Sequence, residues 1–492
     1  MSYIKMLGGT ILTTHIKGKN VDEADTTGKK IKLILLLALP AVVENFFQTI
    51  LGFVDTYFVS KLGLIQVSAV GVTNAILAIY FALFMALGVA ANVYIANFIG
   101  AQKIEKARHI AQQSIIVTIV IGLITGIITI LFAEPLLKLM GIDNNVLDAG
   151  VTYFRIVAIP SVFMALMFVL SAILRGAGDT KSPMKTSIVI NIVNAVLDYV
   201  LIFGFWFIPE MGIIGAASAT VLARVLGTFI LFGYIQKNTS LTFKKEYWKV
   251  DSVHLKELFI LGTPAAGERL IMRAGQIVYF GFVVALGTNV FAAHQIAGNI
   301  EVFSYMIGFG FATAATILVG QQVGAGRFDD AKTYAKLCMY LAIGSMTVFG
   351  IILFSLGGSA GSLFTEDKVV IGNIGTALKV SGVFQPFLAV VLILTGAFQG
   401  ANNTKFPMYL TGIGMWAIRT LLVYVLGVQL EWGLLGVWIA IGLDIAFRAV
   451  VLTVQFHRDK WIVVKVEPEE DPESHCHPQT TKESMSGCVN NY

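Results

Sequence analysis

Apolar stretches of about 20 residues or more, each enough to cross roughly 30 Å of hydrocarbon as a helix, recur along the whole chain. Twelve can be marked, near residues 33–59, 67–98, 110–132, 149–174, 183–206, 211–236, 257–286, 290–323, 333–356, 373–400, 406–427 and 433–456. Segments of this length without period-two alternation argue for helices and against an outer-membrane barrel. The pattern predicts an all-α integral membrane protein. Three polar stretches punctuate it: residues 1–32, residues 237–256 between the sixth and seventh spans, and residues 457–492, where no hydrophobic period survives and disorder is expected beyond the first few residues.

Composition agrees. Hydrophobic residues make up 56% and charged residues 13% of the 492, with a mean hydropathy of +0.77, where soluble domains run at about 25% charged. The first 31 residues contain only a short apolar run, MLGGTILTT, without the length or cleavage site of a signal peptide, so the first span is expected to act as the targeting signal. Cys338, Cys476 and Cys488 are too few and too scattered for a disulfide framework. The His475, Cys476, His477 cluster near the end is a weak metal motif.

The net charge of +5 does not call for a nucleic-acid partner, because the positive residues alternate between successive loops as topology requires. One set of loops holds Lys103, Lys106 and Arg108, then Arg175, Lys181 and Lys185, then Lys237, Lys244, Lys245, Lys249 and Lys256, then Arg327, Lys332 and Lys336, then Lys405; the other holds little beyond Lys61, Lys138 and Lys368. Both termini are therefore expected in the cytoplasm, with the spans in the cell membrane of a monomer.

Sliding the chain against itself by 224 residues brings four separated blocks into register without a gap: Pro40 and Glu44 on Pro264 and Glu268, Leu62 and Gly63 on Leu286 and Gly287, GAQKIEKA from Gly100 on GAGRFDDA from Gly324, and RGAGDTKSPM from Arg175 on QGANNTKFPM from Gln399. Each repeat holds six spans, an even number, so the halves run parallel and are related by an axis along the membrane normal, with the natural binding site in the cleft between them. This predicts an N-lobe over 33–236 and a C-lobe over 257–456. Some polar residues are not duplicated: Asp55 is matched by Tyr279, Asn194 by Ile418 and Asp198 by Leu422.

With about 1.5 Å of rise per helical residue, Asp55 lies roughly 12 Å, Asp198 roughly 10 Å and Thr220 roughly 12 Å below the outer ends of the first, fifth and sixth spans. Asn191, Asn194 and Asp198, at i, i+3 and i+7, share one face of the fifth span. An intramembrane carboxylate costs at least about 2.5 kcal/mol on insertion scales and normally faces a wet cavity or a partner. Two carboxylates with an amide and a hydroxyl can share a proton, which like charge and burial favour, or offer hard oxygens to a small cation. They can also be structural, bonded to neighbouring helices.

Glu44 and Glu268 share a P-x-x-x-E spacing in both repeats, which fits a duplicated structural bond as well as a site. His294, in AAHQI, falls at the depth of Asp55 across the cleft, where it either packs or titrates. Arg419, Arg448 and Asp444 are expected to pair within the C-lobe. Pro40, Pro160, Pro264 and Pro386 each remove a helical hydrogen bond and permit a bend. The Phe, Met and Tyr stripes suit either a polyspecific pocket or ordinary packing.

Twelve spans in a 6+6 repeat, GFVDT in the first span, N-x-x-x-D in the fifth, AAHQI in the eighth and the paired RGAGDTKSP and QGANNTKFP signals together resemble the MATE family, the multidrug and toxic compound extrusion transporters, over residues 33 to about 458. The resemblance implies antiport driven by H⁺ or Na⁺, with organic and often cationic compounds leaving the cell as two lobes rock. It maps a cation site, with Na⁺ as a possible occupant, onto Asp55, Asn194, Asp198 and Thr220, with Asn191 beside them. It leaves Glu268, His294 and Tyr279 as candidates for substrate contact. The NorM branch of that family carries an acid in the tenth span and a later glutamate in the seventh; here the tenth span has no acid and Met272 stands at the later position, so the N-lobe site is the one implied. No cofactor beyond the coupling ion is expected.

Three rivals remain in view. A lipid-linked sugar flippase shares this architecture but would be expected to need a cationic cavity. An intramembrane enzyme would need a DDxxD, an H-E-x-x-H or a nucleophile elbow within a span, and none is found. A channel would need a continuous polar pore, whereas the polar residues cluster at particular levels.

Overall fold

The structure, a computed structural model, describes residues 27–206 and 208–462. The expectations for the first 26 residues, for the tail from residue 463 and for its His475, Cys476, His477 cluster lie outside the described residues. The helices are α1 Thr27–Ser60, α2 Leu64–Gly100, α3 Ile104–Leu139, α4 Asn144–Ala158, α5 Ser161–Gly176, α6 Lys181–Phe203, α7 Gly212–Lys237, α8 Ser252–Ala285, α9 Thr288–Gly324, α10 Phe328–Gly361, α11 Lys368–Gly400, α12 Lys405–Gln429 and α13 Gly433–His457.

Among the described residues ten of these helices are long and apolar enough to cross a membrane, and α4 with α5 forms an eleventh span bent by 47°. The bend falls at Pro160, which has no N–H to continue the helix, whereas Pro40, Pro264 and Pro386 sit inside continuous helices. The twelfth span is α8, whose 34 residues carry Glu268, Arg269 and Arg273. Several helices run 34 to 37 residues, about 50 Å at 1.5 Å per residue, so they project beyond the hydrocarbon layer that set the sequence boundaries.

The chain forms two six-span lobes, α1–α7 and α8–α13, and the repeat is visible in their cores. Ile34 and Leu37 near the start of α1 are buried among C-lobe residues, while Leu258 and Leu261, each 224 positions later near the start of α8, are buried among N-lobe residues. Each lobe thus lends the first turns of its first helix to the other: α1 packs on α9, and α8 on α2. The last turns of α2 and α9 also pack together, at the end that carries the lysine- and arginine-rich loops. Asn97 Nδ2 on α2 donates to the Gly400 carbonyl at 3.0 Å, and Asn402 Nδ2 donates to Asn97 Oδ1 at 3.2 Å, tying the lobes together there.

Candidate functional site

Within the N-lobe, α1, α2, α4, α6 and α7 enclose a cavity of about 90 Å³. Its wall includes Asp55, Asp198 and Thr220, the three residues that helix depth alone put at one level, together with Asn74, Tyr153 and Arg224. The carboxyl groups of Asp55 and Asp198 lie within hydrogen-bonding reach of each other. Asn194 Nδ2 donates to Asp198 Oδ2 at 3.1 Å, so one turn of α6 presents a carboxylate and the amide that steadies it. Thr220 donates to the Ala216 carbonyl, leaving its oxygen lone pairs for the cavity. Asn191 is buried on the same face of α6, one turn from Asn194, with neither amide atom bonded to another protein group; neither asparagine is part of the cavity wall.

Sequence reasoning missed Arg224. It lies one turn after Thr220 on α7, and it acts electrostatically on both Asp55 and Tyr153; its guanidinium rests 5.9 Å from the centre of the Phe81 ring. The level read from sequence as two carboxylates with an amide and a hydroxyl therefore also holds a guanidinium, for a net charge of −1 when all three charged groups are ionised. Asp55 Oδ1 and Arg224 Nη1 are buried without a hydrogen-bond partner in the protein. The spacing Thr220-x-x-x-Arg224, repeated 224 residues later as Asp444-x-x-x-Arg448, was the available signal.

That counterpart in the C-lobe is closed on itself. Asp444 Oδ2 accepts from Arg419 Nε at 2.9 Å and from Arg448 Nη2 at 2.8 Å. The pairing expected of these three residues is observed. Arg419 reaches Asp444 from a stretch of α12 wound as π-helix over Gly414–Thr420, a widening often found at functional positions. Glu301 on α9, also unforeseen, accepts from Ser381 at 2.5 Å. Asp444 thus bridges the two arginines, while Glu301 in the same lobe is held by the Ser381 hydroxyl. Its candidates for substrate contact are mostly inside: Tyr279 and His294 are buried, and the His294 ring lies between Phe280 and Trp438 at centroid distances of 5.2 and 5.7 Å. Glu268 is half-buried and accepts from Thr411 at 3.2 Å.

Glu44 is bonded too. Arg175 Nη1 reaches both of its carboxylate oxygens, at 2.9 and 3.1 Å. Arg175 and Gln399 are repeat partners. Glu44 is thus held by the residue that opens the RGAGD signal, whereas Glu268 is held by the Thr411 hydroxyl.

The MatE family model matches residues 40–200 and 264–425, two stretches whose starts lie 224 positions apart, as the internal repeat requires. The chain belongs to the MATE family. A probable multidrug resistance protein NorM from Thermotoga maritima is 32% identical over 431 residues, spanning 87% of this chain and 93% of that relative. An uncharacterized transporter, YisQ, from Bacillus subtilis is 28% identical, spanning 87% and 94%. Among solved structures, an outward-facing multidrug resistance MATE transporter superposes with a TM-score of 0.82 at 24% identity, covering 87% of this chain and 95% of that one. A transporter from Pyrococcus furiosus described by the reversed polarity of its binding pocket gives 0.81 at 23%, with the same coverage. The fold is therefore that of MATE transporters, a multi-pass membrane assembly of twelve spans in two lobes.

Proposed function

We propose that this MATE protein is a cation-driven multidrug exporter of the cell membrane, in which the N-lobe cavity couples the ion to the drug. The observation that carries the reading is the cavity's charge: Asp55 and Asp198 face each other with Arg224 in the same wall. One added cation, H⁺ or Na⁺, takes the site from −1 to neutral; Thr220 in the same wall adds an oxygen that a sodium ion can use, and Asn194 steadies Asp198 through its hydrogen bond. Neutralisation removes the attraction for an organic cation, so ion and drug disfavour each other, a coupling of typically about 1–3 kcal/mol. Rocking of the lobes about the crossed first helices then exchanges the two across the membrane. The names of relatives that include multidrug resistance proteins support the substrate class. The loop charges support cytoplasmic tails and a cytoplasmic linker over 237–256. We assign the protein as a monomer. In the C-lobe Asp444 is taken up by Arg419 and Arg448, so Glu268, His294 and Tyr279 are left to shape the substrate path. A lipid-linked pyrophosphate would meet net negative charge in the N-lobe, which weighs against a flippase.

The test is efflux of a fluorescent organic cation from vesicles under a pH gradient and, separately, a Na⁺ gradient, with wild type and Asp55→Asn. One gradient should drive efflux in wild type, and D55N should abolish it while the protein still folds. Efflux that persists in D55N removes Asp55 from the mechanism, and efflux driven by neither gradient removes the antiport.

A further inference from the structure

Outside the membrane-facing cavities, one cluster of side chains has the composition of a metal site. His109 stands in the second turn of α3; Asp251 and His254 open α8. One ligand atom from each lies within 4.8 Å of the others. His254 Nδ1 is 2.7 Å and His109 Nε2 is 3.8 Å from the same oxygen, Asp251 Oδ2. Around a tetrahedral Zn²⁺ with bonds of about 2.0–2.2 Å, neighbouring ligand atoms sit roughly 3.3–3.6 Å apart. The two observed separations bracket that value, so small side-chain rotations would complete the set. Two imidazoles and a carboxylate match the preferences of zinc-class ions.

The surroundings hold these ligands in place before any ion arrives. Gln112 and Gln113 of α3 bind the segment that leads into α8: Gln112 exchanges hydrogen bonds with both the carbonyl and the N–H of Lys244, at 2.8 Å each. Gln113 donates to the carbonyls of Tyr247 and Lys249 and accepts from the Asp251 N–H. The Tyr247 ring stacks on His109 at 4.7 Å. Asp251 Oδ1 caps α8 by accepting from the Val253 N–H at 2.9 Å, which orients Oδ2 toward the two imidazoles, the kind of supporting bond that fixes metal ligands.

The repeat shows what the cluster joins. At the equivalent place in the other half, 224 positions away, Lys30 on α1 pairs with Asp330 on α10 at 2.7 Å, an ordinary ion pair between the lobes. Lys30 corresponds to His254, and α10 to α3. We infer that His109, Asp251 and His254 bind a zinc-class divalent cation that clamps the first helix of the C-lobe to the third helix of the N-lobe at the cytoplasmic face. An ion held there opposes separation of the lobes at that end, where the opposite pair is a hydrogen-bonded lysine and aspartate.

The test uses the full chain in detergent, purified without a histidine tag and with His475, Cys476 and His477 replaced by Ala so that the tail cannot compete. Titration with Co²⁺, followed by its visible absorption and by displacement with Zn²⁺, should show one ion per chain. H109A and H254A should each weaken it by about tenfold or more, and Zn²⁺ should raise the thermal unfolding temperature of the parent but not of either variant. Should an alanine variant not run as a single species, H109Q or H254Q takes its place under the same criterion. No binding to the parent, or binding unchanged by the histidine substitutions, overturns the assignment. The readout is independent of transport, so it stands or falls apart from the antiport reading.

Discussion

Gly100 and Gly324, repeat partners, close the lobe interface reciprocally: a Cβ on Gly100 would collide with the Gln321 carbonyl, and a Cβ on Gly324 with the Asn97 carbonyl. Asn97 and Gln321 are themselves 224 residues apart, so the same backbone approach is made twice about the pseudo-twofold axis. Small residues let two helices come this close, and the close packing holds helices together where no hydrophobic force acts between them.

Replacing either glycine by alanine should therefore open the lobe interface at this end. Overpacking of this kind costs typically about 1–3 kcal/mol, and G100A and G324A should cost about the same because their surroundings are equivalent. Spin labels at the ends of α2 and α9 should report longer and broader distances in both variants. Unchanged distances would mean that the helices slide to absorb a methyl group.

The Glu44–Arg175 pair should be structural. Glu44 is 4% exposed, and removing one member of a buried pair costs about 3–5 kcal/mol because the other charge is left alone. E44Q should thus lower the unfolding temperature in detergent far more than E268Q, whose half-buried carboxylate accepts from the Thr411 hydroxyl. E44Q combined with R175M should recover much of the loss. An E44Q variant of normal stability that fails to transport would return Glu44 to the coupling site.

Asp55, Asp198 and Thr220 could be grouped from sequence because helical rise converts position into depth, and depth was enough to gather them around one cavity. Register by 224 was legible for a similar reason: turn and capping signals such as RGAGD recur because both lobes fold alike. Arg224 was not legible in the same way. A single arginine within an apolar span reads equally well as facing a cavity or reaching for a helix end, and only its placement one turn from Thr220 distinguishes the two. The π-helical winding of α12 that brings Arg419 to Asp444 leaves no local mark, since it is stabilised by partners on another helix. The break at Pro160 was half visible: proline permits a bend, but the packing of α4 and α5 determines whether the helix stops.

Arg224 should set how tightly the cavity holds its ion. Without the guanidinium the site carries two negative charges instead of one, and a positive charge lost at this range in a partly wet cavity is worth on the order of 1.4 kcal/mol, about tenfold in binding. R224Q should lower the concentration of coupling ion that gives half-maximal efflux by about that factor and slow turnover, because release of the ion becomes the difficult step. R224K should restore wild-type behaviour in large part. A concentration dependence left unchanged by R224Q would show that the arginine serves packing against Phe81 rather than the cavity.

Asp198 and Asp444 are both almost wholly inaccessible, at 1% and 0%, yet their asparagine variants should fail in opposite ways. Asp198 faces a second acid and is steadied by Asn194, so D198N removes repulsion, keeps a hydrogen-bonding side chain of the same shape, and should fold normally while losing ion-driven efflux. Asp444 is the shared partner of Arg419 and Arg448, so D444N leaves two guanidinium groups facing a neutral amide inside the C-lobe. A loss of about 3–5 kcal/mol should then appear as poor expression and a lower unfolding temperature. Efflux per folded molecule should fall less than in D198N. Thermal stability and vesicle transport measured on the same preparations separate the two cases: a stable D444N without transport would make the C-lobe triad part of the coupling machinery, and an unstable D198N would make the N-lobe pair a structural contact.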